Sequence, residues 1–195
     1  MRKCTLNRKT SETQVTLDIN LDGSGKYSIN TGIPFFNHML ELFSKHSLID
    51  LEINAQGDVE VDFHHTVEDV GITLGKAISK ALNDFRGIRR YGFGTAPMDE
   101  TLTAVTIDLS GRAAFVLEGE LLREKTGGFD LELVPEFFKA VAFNIPGAIH
   151  IKIEYGANAH HIVESIFKSF ALSLRNAIEI DPRRADEVPS TKGIL

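Results

Sequence analysis

Cysteine is almost missing from this chain. Of its 195 residues only Cys4 carries a thiol, which excludes an internal disulfide framework and a thiolate cage around a metal. Any metal held here must therefore bind nitrogen and oxygen. Long apolar runs are missing too: no stretch approaches the roughly 18 uninterrupted apolar residues of a membrane span. The start Met1-Arg2-Lys3-Cys4-Thr5 leads into no apolar signal segment. The expectation is a soluble, cytoplasmic protein with no membrane partner. Basic charge is also in deficit. The formal net charge is −6, and nucleic acid, which needs a basic face, is not expected as a partner. The pairs Arg89-Arg90 and Arg183-Arg184 are too small to change that. No proline-rich or glycine-rich linker interrupts the chain, and 43% of its side chains are apolar, enough to bury a sound core.

What is present is a repeated pentad. His-His-x-x-Glu occurs as His64-His65-Thr66-Val67-Glu68 and again as His160-His161-Ile162-Val163-Glu164, and the two hold four of the seven histidines. Each opens a helical apolar pattern. On a helix, neighbouring residues point about 100° apart while residues four apart share a face. His64 with Glu68, and His160 with Glu164, can therefore each chelate one cation, whereas His65 and His161 turn away. Two metal ions, each gripped by one clamp plus the spare histidine of the other pentad, would use every one of these groups. Nitrogen and carboxylate donors suit Mn, Fe or Zn, and an octahedral site with open positions leans toward Mn. A single pentad is a weak signal, because adjacent histidines at a helix start are commonly solvated or cap the helix. Two at equivalent places in a repeat are a strong one.

The pentads lie 96 residues apart, and the similarity continues around them. Val70, Leu74, Ile78 and Leu82 recur every fourth residue after the first; Ile162, Ile166, Phe170, Leu174 and Ile178 do so after the second, marking one buried stripe per helix. Gly71 and Gly75 lower the propensity of the first helix, so they point to close approach of another element. Upstream lie helical stretches at Phe36–His46 and Pro135–Phe143. Each is followed by a strand, Leu48–Ile53 and Ala148–Glu154. Earlier strands are expected at Thr13–Leu21 and Lys26–Asn30, and at Leu102–Leu109 and Ala114–Glu120. The shared order is strand, strand, helix, strand, helix, which suggests two fused copies of a small α+β domain on a continuous core. The upstream helices add His38 and Glu136, which precede their pentads by 26 and 24 residues; both are further candidate ligands. His46, eight residues after His38, can face the same cavity, whereas His150 sits mid-strand and reads as structural.

These residues, with Phe36-Asn37-His38-Met39-Leu40, Asp62-Phe63 and Glu68-Asp69 around the first pentad, Arg89-Arg90-Tyr91-Gly92, Pro97-Met98-Asp99-Glu100, Asp108-Leu109-Ser110-Gly111-Arg112 and Pro189-Ser190-Thr191-Lys192-Gly193, closely resemble the imidazoleglycerol-phosphate dehydratase family over nearly the whole length. The resemblance implies two Mn2+ ions per active site, one bound by His38, His65, His160 and Glu164. The other would be bound by His64, Glu68, His161 and residue 136, where many members carry histidine and this chain has Glu136. It implies a hydro-lyase of histidine biosynthesis that converts D-erythro-imidazole glycerol phosphate to imidazole acetol phosphate and water through a metal-bound imidazolate. Glu12 becomes the candidate acid/base group. Arg90, Arg112, Lys168, Ser190, Thr191 and Lys192 become the substrate's phosphate pocket, with arginine forks and a lysine charge suited to phosphate oxygens. Lys168 also lies one turn beyond Glu164, on the face of that clamp.

The fold class expected is α+β and ribosomal protein S5 domain 2-like. It has two repeats, residues 1–93 and 94–195, each a four-stranded mixed sheet plus two helices, with the helices packed between the sheets. The resemblance further implies a homo-oligomer of 24 copies with octahedral symmetry and metals at subunit contacts. Two other readings compete. A dinuclear phosphoesterase would want a bridging aspartate, and none lies in the clamp positions. An RNA-binding module has the acidic balance against it.

Overall fold

The computed structural model describes residues 2–121, 124–184 and 187–193. The first half runs β1 (Lys3–Lys9), β2 (Thr13–Asn20), β3 (Tyr27–Asn30), α1 (Pro34–Ser47), β4 (Asp50–Gly57) and α2 (His64–Leu82). The second runs β5 (Tyr91–Met98), β6 (Thr101–Asp108), β7 (Ala114–Glu118), a small hairpin of β8 (Lys125–Thr126) and β9 (Phe129–Asp130), α3 (Leu133–Asn144), β10 (Ala148–Tyr155) and α4 (Ala159–Ile178). The sheets have orders β1-β2-β4-β3 and β5-β6-β10-β7. In each, the last pair, β3 with β4 and β7 with β10, is parallel and the others are antiparallel. The two halves thus share one topology, and the expected α+β class with two four-stranded mixed sheets holds.

The order expected from sequence needs correcting, because each half opens with three strands. β1 and β5 escape a search for β-branched alternation for physical reasons. β1 is an outer strand of mostly polar residues that alternate between exposed and half-buried. β5 carries two glycines and Pro97, and a proline is tolerated because β5 is also an outer strand. β4 begins at Asp50 rather than Leu48, because Leu48 takes a left-handed conformation (φ 61°) that ends α1 and turns the chain. At its other end α1 starts on Pro34, whose fixed φ suits the first helical turn.

The helices form a layer between the sheets. α2 lies on β1 and β2, and α4 on β5 and β6, while α1 packs on α4 and α3 on α2, so each half's helices mate with the other's. The stripes expected on α2 and α4 are buried throughout. Between them sits a phenylalanine cluster drawn from both halves: Phe43 meets Phe170 at 5.3 Å, Phe36 meets Phe137 at 5.2 Å and Phe138 meets Phe170 at 5.2 Å between ring centroids. Each fully buried ring stabilises the fold by roughly 1.5–3 kcal/mol in transfer free energy. One core therefore spans both repeats.

Two seams are closer than side chains would allow. A Cβ on Gly71 would stand 2.9 Å from the Phe137 carbonyl oxygen, and one on Gly75 would stand 2.7 Å from that of Val141. The glycines of α2 thus admit α3, as their cost in helix propensity suggested. On the other side, Gly92 and Gly94 let α4 ride against β5, where a Cβ would strike the carbonyls of Ser173 and Ser169. There the buried Ser169 hydroxyl accepts from Ala96 N–H at 3.0 Å, and the Ser165 hydroxyl donates to the Ala96 carbonyl at 2.6 Å. Helix serines so take up backbone groups of an outer strand that would otherwise be free to pair with another chain.

Candidate metal centre

Both pentads are pinned by a side chain two residues upstream. Asp62 accepts the backbone N–H of His64 at 2.7 Å, and Asn158 accepts that of His160 at 2.9 Å. These bonds satisfy donors left over at a helix start and fix where the first turn begins. They therefore fix the direction in which each clamp points.

On α4 the clamp closes as expected. The Glu164 Oε2 atom lies 3.4 Å from His160 Nε2, and α1 brings His38 Nε2 to 3.6 Å from the same oxygen. The three donors lie within 4.8 Å of one another, and among the described residues they form the only such group of three or more. Glu164 is buried while both imidazoles are partly exposed, so the group opens on one side. Its other oxygen, Oε1, takes a 2.6 Å contact from Lys168 Nζ. Burial pushes the Glu164 carboxyl up, but Lys168 and the two imidazoles together hold it below the usual carboxylate value. A buried anion shared by two imidazole nitrogens, with an open side, fits a first-row divalent cation with nitrogen and oxygen donors.

The equivalent group on α2 is looser. His64 Nε2 stands 3.9 Å from Glu68 Oε2, and both side chains are more exposed than Glu164. Glu136, the counterpart of His38, lines one groove with Glu68 across the α2–α3 seam but points an oxygen at Lys139, 3.6 Å away. Glu136 thus shares a groove with Glu68 without joining a three-donor group among the described residues.

The spare histidines do not reach the opposite clamps within one chain; each is held by a carboxylate of its own half. His65 Nδ1 lies 3.0 Å from Asp58, leaving Nε2 3.8 Å from Glu12. His161 Nδ1 lies 2.8 Å from Glu100, leaving Nε2 3.8 Å from Asp99. The Asp58 bond raises the pKa of His65 and the Glu100 bond that of His161, while Glu100 itself is pulled down to about 2 by His161 and by N–H groups of the loop before α4. Sequence assigned no role to Asp58 or Glu100. A signal was available for Glu100: Thr13 and Thr101 open β2 and β6, so Glu12 and Glu100 occupy the same place in the repeat. The two carboxylates are used differently. Glu100 is locked by Ala157 and Asn158 N–H groups and His161, whereas the side chain of half-exposed Glu12 has, among the described residues, only the distant His65 contact.

His46 sits half-buried near the α4 group. Its pKa is lowered first by burial and then by the Lys168 charge, with Glu164 opposing. The expected phosphate ligands divide. Arg90 pairs with Asp108 at 2.7 Å and donates to the Pro189 carbonyl at 2.9 Å, which ties it to the segment bearing Ser190, Thr191 and Lys192. Arg112 follows Asp108 by four residues and donates weakly to the Ser110 carbonyl. Lys168 does not join them within the chain, because its amine is engaged by Glu164 and Met98 at the far end of β5. A groove on the outer face of the first sheet, lined by Lys3, Tyr27 and Glu52 among others, holds none of these residues.

Comparison with known proteins identifies the family. A family model described as imidazoleglycerol-phosphate dehydratase matches residues 31–174. Curated proteins of that name from Clostridium kluyveri and Acetivibrio thermocellus are 53% and 55% identical, over the whole of this chain and at least 99% of theirs. Among solved structures, the Staphylococcus aureus imidazoleglycerol-phosphate dehydratase superposes with a TM-score of 0.84 at 41% identity, covering 92% of this chain and 99% of that one. The Pyrococcus furiosus protein, solved in complex with (S)-C348, gives 0.83 at 34% identity, covering 97% and 100%. With the duplicated fold, the paired clamps and full-length identity above one half all pointing the same way, the chain belongs to the imidazoleglycerol-phosphate dehydratase family of hydro-lyases.

Proposed function

We propose that this enzyme removes water from D-erythro-imidazole glycerol phosphate to give imidazole acetol phosphate, a step of histidine biosynthesis in the cytoplasm, with two Mn2+ ions per active site. The observation that carries the metal reading is the buried Glu164 carboxylate facing His38 and His160 at 3.6 and 3.4 Å. His65 of a second copy would complete that site. His64, Glu68 and Glu136, joined by His161 of another copy, would hold the second ion. Ions held by these residues would supply Lewis acidity toward the substrate's imidazole ring.

The chain's own residues supply the rest. Lys168 neutralises the far oxygen of Glu164 and keeps the near one turned to the imidazoles. Glu12, beside His65 and with no side-chain hydrogen bond locking it among the described residues, exchanges protons with substrate: the hydroxyl at carbon 3 leaves as water, carbon 2 gives up its proton, and the enol tautomerises to the ketone. Arg90, Arg112, Ser190, Thr191 and Lys192 hold the phosphate, with Lys168 and His46 facing substrate from the metal side. Their separation within one chain, and the holding of His65 and His161 by carboxylates of their own half rather than by the opposite clamps, support a site closed by several copies. A homo-oligomer of 24 chains with octahedral symmetry is the assembly proposed.

The test is to incubate the enzyme with imidazole glycerol phosphate and with a generic phosphomonoester, before and after metal removal. Formation of the keto product that is lost with chelator and restored by Mn2+ is expected. Release of inorganic phosphate from the generic ester, or undiminished dehydration by metal-free enzyme, would overturn the proposal.

A further inference from the structure

The two histidines turned away from the clamps are oriented by carboxylates that do not correspond in the repeat. Asp58 opens the connection from β4 to α2, seven residues before His65, and both of its oxygens lie 3.0–3.1 Å from Nδ1. Glu100 stands in the β5–β6 turn, 61 residues before His161, with Oε2 2.8 Å from Nδ1 and Oε1 accepting from Ala157 and Asn158 N–H at 3.2 and 2.8 Å. By strand register the place of Asp58 in the second repeat falls at Ala157, which has no carboxylate to offer. Two different positions in the duplication have thus arrived at one arrangement: a carboxylate within hydrogen-bond distance of Nδ1, with Nε2 3.8 Å from the nearest other carboxylate, Glu12 or Asp99.

We propose that Asp58 and Glu100 are positioning residues that fix the ring orientation and tautomer of His65 and His161, so that each Nε2 lone pair is presented to a metal ion. This rests on the metal reading above. A carboxylate accepts only; it therefore holds the proton on Nδ1 and leaves Nε2 as the donor atom. The same bond fixes the plane of the ring, which matters most for a ligand that must meet a clamp on another copy.

The geometry makes the two amide substitutions behave differently. Both Asp58 oxygens face Nδ1, so Asp58→Asn can turn its carbonyl to the ring and keep the tautomer. In Glu100→Gln the oxygen stays on the Ala157 and Asn158 N–H groups, and the amide NH2 faces His161 Nδ1. The ring must then accept at Nδ1 and carry its proton on Nε2, which blocks coordination. Neither change removes a bond that the loop needs for folding.

The experiment measures Mn2+ binding to the full-length protein by equilibrium dialysis with elemental analysis, beside circular-dichroism melting, for wild type, Asp58→Ala, Asp58→Asn, Glu100→Ala and Glu100→Gln. Wild type is expected to bind two equivalents. Asp58→Ala, Glu100→Ala and Glu100→Gln should each lose about 10–100-fold in affinity at one of them, while Asp58→Asn stays within a few-fold of wild type and melts like it. If wild type binds two equivalents and Glu100→Gln and Asp58→Ala bind as tightly, the positioning role is wrong and the metal reading stands. If wild type binds none, both fall. Should an alanine variant fail to fold, Glu100→Gln against Asp58→Asn decides the matter alone.

Discussion

Replacing Gly71 and Gly75 together by alanine sets two known effects against each other. In an exposed helix each Gly→Ala change stabilises by about 1 kcal/mol through helix propensity, or about 2 kcal/mol for the pair. Here the new methyl groups would meet the Phe137 carbonyl at 2.9 Å and the Ala140 Cβ at 2.9 Å, and the Val141 carbonyl at 2.7 Å and the Asn144 Cβ at 2.8 Å. All four atoms belong to the backbone or first side-chain carbon of α3, so no rotamer change relieves them. Overpacking of this kind costs about 1–3 kcal/mol per site, so the double variant should lose roughly 0–4 kcal/mol, centred near 2. For a chain of this size that lowers the melting temperature by several degrees, read by circular dichroism in the presence of chelator so that metal does not contribute. Prising α3 from α2 also moves Glu136 from Glu68, so the loosened seam should weaken one Mn2+ equivalent more than the other. A melting temperature that rises would refute the reasoning, since it would mean that the seam has room and only helix propensity is felt.

Glu12→Gln should lower turnover of imidazole glycerol phosphate by roughly 10²–10⁴-fold, the usual span for a lost general acid or base, with bound Mn2+ unchanged; undiminished turnover removes Glu12 from the mechanism. Ser169→Ala leaves the buried Ala96 N–H without its acceptor and should cost about 1–3 kcal/mol in urea unfolding, against at most about 0.5 kcal/mol for Ser28→Ala on the exposed face of β3; equal costs would mean that the serine does not satisfy the outer strand. Asp50 accepts Ser24 and Lys26 N–H groups at 2.8 and 3.0 Å, and these backbone bonds depress its carboxyl pKa. A depressed folded pKa contributes stability that is fully present above the unfolded value, about 3.9, and is lost as pH falls through the folded one. Unfolding of chelated wild type and Asp50→Asn should therefore differ at pH 7 and converge below about pH 4, and a gap that widens in acid would contradict this.

How much of the molecule is legible in its sequence depends on how local the cause is. The α2 and α4 stripes, the two clamps and the contact of Lys168 with Glu164 follow from helical period, because residues three and four apart share a face wherever the helix is placed. The close approach permitted by Gly71 and Gly75 was readable for the same reason: a residue that lowers helix propensity needs another reason to be there. β1 and β5 were not legible. β1 buries little as an outer strand, and the buried positions of β5 are Gly92, Gly94 and Ala96, so its apolar alternation is weak and its glycines speak of the helix that covers it rather than of the strand itself.

The candidate site divides in the same way. That His160 and Glu164 chelate together is written in their spacing, whereas their meeting with His38 is decided by α1 packing on α4. Sequence alone pairs each spare histidine with the opposite clamp, and within one chain the fold does otherwise, handing His65 to Asp58 and His161 to Glu100. It also separates Lys168 from Arg90 by the length of β5. Helix periodicity is a property of a few covalent neighbours and so survives in the sequence. The distance between two loops is set by how sheets and helices pack, and only the folded chain determines it.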